Sequence, residues 1–419
     1  MTTASPPLSE IDRARGRRLA ITSHPAGNTF RLVFTQHLPT LALVSLGASE
    51  LQVGIQNAFV YVFIALQLPT LRVVAHVSKR RILVTSHLFA VATAAPLAFF
   101  GQLQALPEAS AIAVAMASFA LVAVGVCIGE TVWFPLLRGF VEPQKIGRFF
   151  GALRTGWHLA LIVFYAFSQW WLERHPGDFA TLFALGWSLG LARTFLIVRL
   201  PERSERTGDR IRVREALALL RDPRLRAYLS TVSWTHAARV AAIPFVIVML
   251  RRVAGFSDAE VIYTTIAFFG GGLASLYLWG RAVDRLGALP VLRTTALGQG
   301  LLVVALCVFE PGGAAVGLMV LWFFAISLLA AGFGVADTHV LFELTPPEAP
   351  ARTLVLGAVV VGVAAGTLPV LAGAILDRLL AGAADDLAVY HGFFAVLGAF
   401  ACFAVLPLRG LSSPAPARS

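Results

Sequence analysis

Arg239 stands thirteen residues after Arg226 and twelve before Arg251, in the middle of an otherwise apolar run. At about 1.5 Å per helical residue it lies ~18 Å from either end, too deep to snorkel freely to water. An ionisable group in hydrocarbon costs ~2.5–3.5 kcal/mol or more, so it is a functional candidate by default; the alternative is a guanidinium tied to backbone carbonyls or a carboxylate. His236 lies three residues earlier, on the same helical face. Arg31 repeats the arrangement: Arg18 to Arg31 is again thirteen residues, and Arg31 and Arg239 each precede a serine, Ser49 or Ser257, by eighteen. A guanidinium fork matches a carboxylate or phosphate bidentately, so the chemistry on offer is capture of a small anion. Arg31 also reads as an interfacial anchor, because Pro25, Gly27 and Asn28 place the start of a membrane helix close to it.

Two carboxylates fall inside apolar runs, Glu130 and Asp337, each followed by a threonine, Thr131 or Thr338. Desolvation raises a carboxyl pKa and a nearby arginine lowers it, so either group could carry a coupling proton. Both sit towards the basic ends of their runs, where pairing with loop arginines as a gate is the reading to expect. Arg154, Thr155, Trp157 and His158 open another run, and Gln56 and Asn57 lie near the outer end of a third. These could line a solute path; contacts with headgroups for Arg154, and helix–helix hydrogen bonds for Gln56 and Asn57, are the alternatives. The substrate-binding candidates are therefore Arg239, Arg31, Arg154, His236, His158, Gln56 and Asn57.

The elements that must position these groups are membrane helices. Of 419 residues, 57% are hydrophobic and only 14% charged, where soluble domains carry about 25% charge. Apolar runs of the length that spans a bilayer, about 20 residues, recur from residue 28 to residue 408. The spans read near 28–46, 53–75, 82–103, 111–133, 150–171 and 180–198, then near 227–250, 259–280, 290–309, 315–341, 353–376 and 388–408. The expected architecture is all-α, with twelve spans in two six-helix bundles: an N-terminal tail (1–27), a first bundle (28–198), a linker (199–226), a second bundle (227–408) and a C-terminal tail (409–419). Long continuous apolar runs are not the short alternating segments of a β-barrel. Pro39, Pro69, Pro96, Pro244 and Pro369 fall within spans and imply kinks. The run Gly270-Gly271-Gly272 through Ala274 permits close helix approach.

The net charge of +11 sorts by side rather than forming a nucleic-acid footprint. With the N-terminus inside, Arg13, Arg15, Arg17, Arg18, Lys79, Arg80, Arg81, Arg138, Lys145, Arg148, Arg281 and Arg285 join the linker arginines on one face. The opposite face receives Arg174, Arg251, Arg252 and Arg378. Basic residues near span ends favour the cytoplasm, so both termini and the linker are expected there, with the chain in the cytoplasmic (inner) membrane. The linker holds Arg203, Arg206, Arg210, Arg212 and Arg214 and an amphipathic piece, Val213 to Leu220; anionic lipid is its alternative partner. Cys127, Cys307 and Cys402 have no ligand-like spacing and predict neither disulfides nor a metal site.

The halves repeat at an offset near 208. Gly47, Ser49, Glu50, Gln52 and Val53 answer Gly255, Ser257, Asp258, Glu260 and Val261, each set containing the Ser-x-x-Gln/Glu box that opens a helix. Glu50, Gln52, Asp258 and Glu260 therefore read as helix starts. Gly151 and Gly156 answer Gly357 and Gly362, and the stretch from Arg72 to Ser78 answers Arg281 to Gly287. At that last match, Gly280-Arg-Ala-Val-Asp284-Arg285-Leu-Gly287 resembles the cytoplasmic loop motif G-x-x-x-D-R-x-G of the major facilitator superfamily of secondary transporters. The resemblance implies that Gly280, Asp284, Arg285 and Gly287 latch the cytoplasmic side during alternating access. It also implies that arginines on spans 1 and 7, here Arg31 and Arg239, face one another across a pore, as in the family's glycerol-3-phosphate antiporters. The first-half copy is eroded, with Leu71, Ala75 and Ser78 where Gly, Asp and Gly would stand.

No phosphate-binding loop, metal cluster or nucleophile–base pair is visible, so an enzyme is not expected and no cofactor is implied. The expected function is secondary transport of a small molecule, an organic anion, with Glu130 and Asp337 in coupling or gating. The alternative is a non-transporting relative acting as an assembly factor or receptor.

Overall fold

The computed structural model describes residues 8–74, 76–137, 139–142, 146–202, 218–345 and 350–411. The linker arginines from Arg203 to Arg214, most of the amphipathic piece, Arg138, Lys145 and Ala75 lie outside them. Every regular element among the described residues is helical. In chain order these are α1 (Glu10–Thr35), α2 (His37–Ser45), α3 (Glu50–Phe63), α4 (Gln67–Val74), α5 (Lys79–Ala98), α6 (Phe100–Gln104), α7 (Glu108–Leu137), α8 (Ile146–Arg174) and α9 (Phe179–Ile197). They continue as α10 (Pro223–Arg252), α11 (Asp258–Leu286), α12 (Ala288–Val304), α13 (Ala315–Leu344), α14 (Pro350–Leu380) and α15 (Asp386–Phe403).

Each of the twelve expected spans finds its helical segment. Among the described residues ten segments are long and apolar enough to cross a bilayer, and an eleventh, α11, qualifies once a 45° bend is allowed. The first span misses that criterion for a physical reason. Pro39 has no N–H to give the carbonyl four residues back, and the helix breaks at Gln36, whose φ of −123° and ψ of −131° separate α1 from α2. Pro69 likewise sits in the first turn of α4, after the helical break at Ile64–Leu66. Pro96, Pro244 and Pro369 lie inside continuous helices.

The start of α1 corrects the sequence reading. Ser9 caps the helix by accepting the Asp12 N–H at 3.1 Å, and the helix runs through Pro25 without ending. Residues 10–27 are thus helical rather than tail. Their buried positions are Gly16, Ala20, Ser23 and Gly27, a small-residue stripe at helical spacing that lets neighbours come close.

By internal contacts the chain divides into two compact units. The first comprises 1–48 and 62–210, and the second 49–61 and 211–419. Most of α3 therefore counts with the second unit. In the first unit α5 packs on α7 and α9, and α1 on α8 and α9. Ile82, Leu83, Val132, Leu136, Phe149 and Ile197 belong to its core. In the second unit α11 packs on α13, α10 on α14, and α12 on α13 and α15. Gly271 makes the α11–α13 approach possible: a Cβ there would lie 2.2 Å from the Phe324 carbonyl oxygen. Gly270, by contrast, faces open space. Exposed side chains such as Val163, Phe195, Val396 and Phe403 give both units the apolar outer surface that a bilayer requires.

The internal repeat is visible in the backbone. Gly47 and Gly255 both adopt a positive φ, 86° and 72°, a conformation that glycine enters without a Cβ penalty. Ser257 and Glu260 then close a full capping box. In the first copy Ser49 N donates to Gln52 Oε1 at 2.8 Å and Gln52 N donates to Ser49 Oγ at 3.4 Å.

Candidate functional site

The first unit contains a cavity of about 310 Å³ lined by α1, α5, α7, α8 and α9. Arg31 and Arg154, both expected from the sequence, lie on its wall together with Glu130. Arg31 Nη1 stands 3.2 Å from Glu130 Oε1, and Arg31 Nε donates to Asn28 Oδ1 at 3.1 Å. The partner of Glu130 is thus the deep arginine of the first span, not a loop arginine. Arg154 is exposed and its guanidinium has no ion pair among the described residues. His158 does not line the cavity. It is buried, its Nδ1 is 2.8 Å from the Arg154 carbonyl oxygen, and its ring stacks on Trp157.

Arg193, Trp133 and His24 are among the lining groups not singled out from the sequence. Arg193 sits on α9, inside the span expected at 180–198, so an arginine within an apolar run was the available signal. Its ζ carbon lies 5.3 Å from the Trp133 ring centroid, a cation–π distance. Its side chain crosses α1 at Gly27, where a Cβ would lie 2.2 Å from Arg193 Cδ. The third group, His24, lies parallel to Trp133, at 5.5 Å between centroids and 3° between planes. Had α1 been read as beginning at Glu10, His24 would have been recognised as a helix residue.

The second unit holds the other candidates. Arg239 Nη1 donates to Gln299 Oε1 at 2.9 Å, and Nη2 lies 2.7 Å from His236 Nδ1. Both partners are uncharged in this role, so the arginine is held in place without being neutralised by them. The His236 ring meets Tyr61 edge-on at 5.5 Å. Asp337 accepts from Tyr228 Oη, which also reaches the Asp337 carbonyl oxygen at 3.2 Å. Its observed partner is a phenol rather than a loop arginine. Gln56 is buried, and Asn57 Nδ2 donates to Gln56 Oε1 at 2.9 Å and to the Val53 carbonyl at 3.0 Å. In the loop motif Gly287 ends α11 with a φ of 85°. Asp284 and Arg285 are exposed, with no ion pair among the described residues.

The helix starts carry more than caps. Glu50 is buried, and Arg252 Nη1 lies 2.7 Å from its Oε1, which also accepts from Tyr390 Oη at 3.1 Å. Ser49 Oγ donates to Asp377 Oδ2 at 2.9 Å, and Arg251 Nε lies 2.7 Å from Asp258 Oδ1. All these groups belong to the second unit.

No protein-family model and no curated protein matches the chain. Solved structures do. The nucleoside transporter NupG is similar at 13% identity, over 96% of this chain and 99% of that one, with a TM-score of 0.69. A bacterial homologue of the iron transporter ferroportin, in an inward-facing state, is similar at 17% identity, 96% and 99% coverage and a TM-score of 0.67. A bacterial homologue of the human lysosomal transporter Spinster follows at 16% identity, 96% and 95% coverage and a TM-score of 0.63. The chain is a multi-pass helical membrane protein with the major facilitator fold that these proteins share.

Proposed function

We propose that the chain is a secondary active transporter that moves a small organic anion across the cytoplasmic membrane by alternating access, with both termini cytoplasmic. The observation that carries the anionic reading is the charge of the cavity in the first unit. Three guanidinium groups, Arg31, Arg154 and Arg193, line it against one carboxylate, Glu130. Such a surplus in a confined, partly apolar site attracts anions and raises their local concentration. Arg239, with His236 and Gln299, is the second binding element. Its two hydrogen-bond partners, Gln299 and His236, carry no negative charge, so they orient the guanidinium without neutralising it.

Glu130 and Asp337 are the groups proposed to couple or gate, through protonation or exchange of partners. Gly280, Asp284, Arg285 and Gly287 would form the cytoplasmic latch, and 28–198 and 227–408 the two moving bundles. Transport is supported by the fold alone: the structural neighbours are described as transporters, and their own solutes, nucleosides and iron among them, differ too widely to choose one here.

The test is thermal unfolding of the detergent-purified chain with organic phosphates, carboxylates, neutral sugars and amines. A ligand specific to the folded state stabilises it by about 2.7 kcal/mol at a hundredfold excess over Kd. Stabilisation by anions that disappears in Arg31→Gln supports the reading. Stabilisation by neutral or cationic compounds alone contradicts it.

A further inference from the structure

The cavity in the first unit has two kinds of wall. Its polar wall is charged, and within it the three arginines are not equivalent. Arg31 is engaged by Glu130 and Asn28. Arg193 has no acceptor among the described residues, and its Nε is buried without a hydrogen-bond partner. Arg193 also lines the cavity, so the remainder of its guanidinium, rather than the sealed Nε, is what a ligand there would meet. The arm carrying that donor is fixed twice: it threads past Gly27, where no side chain could fit, and its guanidinium lies against Trp133. A held, unpaired guanidinium is a preorganised receptor for a carboxylate.

The other wall is aromatic. Phe30, Trp133, Phe134, Phe150 and Trp157 all contribute to it. Phe134 and Phe150 pack together at 5.8 Å between centroids, and Phe134 is well exposed although apolar. Aromatic faces prefer other rings in offset or edge-on contact, beyond what burial of area alone supplies. The volume, about 310 Å³, is at the small end of ligand sites, which disfavours nucleotides and long acyl chains.

We infer that this cavity takes a small aromatic carboxylic acid, whose carboxylate is held by Arg193 while its ring lies among Trp133, Trp157 and the Phe134–Phe150 pair. The inference rests on the anion reading given above and narrows it to one substrate class. Arg154, unpaired and exposed, serves as the steering charge for the same carboxylate. Arg31, with Glu130 as internal counter-ion, is the group whose partner the ligand can replace.

Three probes separate the contributions: benzoate, cyclohexanecarboxylate with the same charge but no π face, and benzamide with the ring but no charge. Binding to the purified full-length chain is measured by isothermal titration, for the wild type, Arg193→Gln, Arg193→Lys and Trp157→Leu. The expected result is benzoate at least about threefold tighter than cyclohexanecarboxylate, and no measurable benzamide binding. Arg193→Gln should weaken benzoate by roughly tenfold or more, with Arg193→Lys recovering part of it. Trp157→Leu should remove the preference for benzoate over cyclohexanecarboxylate while leaving both bound. This variant keeps the test alive if Arg193→Gln fails to fold.

Equal binding of the two acids by the wild type, or a ring preference untouched by Trp157→Leu, would overturn the aromatic inference and leave the anion reading standing. Benzamide binding as tightly as benzoate would overturn both. Silence for all three probes, with a larger anion still stabilising the chain, would overturn the inference alone.

Discussion

Arg31 and Glu130 satisfy one another inside the first unit, with Nη1 of the arginine 3.2 Å from Oε1 of the glutamate. The glutamate side chain is 41% exposed, so the pair contributes little to stability, about 0–1 kcal/mol. Its significance is exchange: an incoming anion competes with Glu130 for the same guanidinium. Glu130→Gln is therefore expected to raise anion affinity several-fold and to shift the unfolding temperature only slightly. Arg31→Gln is expected to lower anion affinity. Ligand titration and thermal unfolding of both variants check these outcomes.

A different result is expected at Glu50. Its carboxylate is buried and shared by Arg252 and Tyr390. Removing one partner strands a charge that has lost much of its hydration. Arg252→Ala should cost about 1–3 kcal/mol, moderated because the arginine side chain is 31% exposed. Glu50→Gln keeps an acceptor for Tyr390 and should cost less than Glu50→Ala. Unfolding of the three variants in one detergent gives the order.

Close backbone approach sets the neighbouring helix contact. A Cβ at Gly54 would lie 2.3 Å from the Pro369 carbonyl oxygen, and one at Gly373 would lie 2.4 Å from that of Glu50. Neither neighbour is a flexible side-chain tip, so Gly54→Ala and Gly373→Ala should both destabilise the second unit. Gly392, within α15, faces nothing within 4 Å. Gly392→Ala should be neutral or stabilising by up to about 1 kcal/mol, since glycine disfavours a helix interior. Loss of stability in the first two variants and none in the third, measured by parallel unfolding, checks the contrast.

Much of this arrangement was legible from residue order. The apolar runs located all twelve helical segments, because burial in lipid demands continuous hydrophobicity. The Ser-x-x-Gln/Glu boxes and their glycines marked two helix starts correctly. Arg31, Arg154 and Glu130 were identified one by one, but their convergence on one cavity depends on helix packing that no local spacing encodes. Pro25 misled the reading of α1: a proline usually limits a helix, yet here the stripe of Gly16, Ala20, Ser23 and Gly27 packs the turns before it. Arg193, inside the span read near 180–198, carries the same signal as Arg239, an ionisable group within an apolar run. Pairing of Glu50 with Arg252 links positions 202 apart in sequence and has no local signature.

Asp178 offers a test by pH, outside the membrane spans. Burial pushes its carboxyl pKa up, but hydrogen bonds from Thr181 Oγ1, Thr181 N and Trp171 Nε1 outweigh it and hold the value below the usual carboxylate range. A depressed folded-state value contributes stability above the unfolded pKa, near 3.9, which is lost as pH falls through the folded value. Asp178→Ala should therefore cost about 1 kcal/mol at neutral pH, as loss of a helix N-cap does. That difference from wild type should shrink as the pH drops below about 4. Thermal unfolding across that range reads it.

Counterflow in proteoliposomes is the most direct test of transport. Vesicles loaded with excess unlabelled benzoate are diluted into a trace of labelled benzoate, and uptake is followed for wild type, Arg31→Gln, Arg239→Gln and protein-free liposomes. Transient accumulation by the wild type, absent from protein-free vesicles and reduced in both arginine variants, is the expected result. Accumulation no greater than in protein-free vesicles, for benzoate and for every anion that stabilises the purified chain, would contradict the assignment of this protein as an anion transporter.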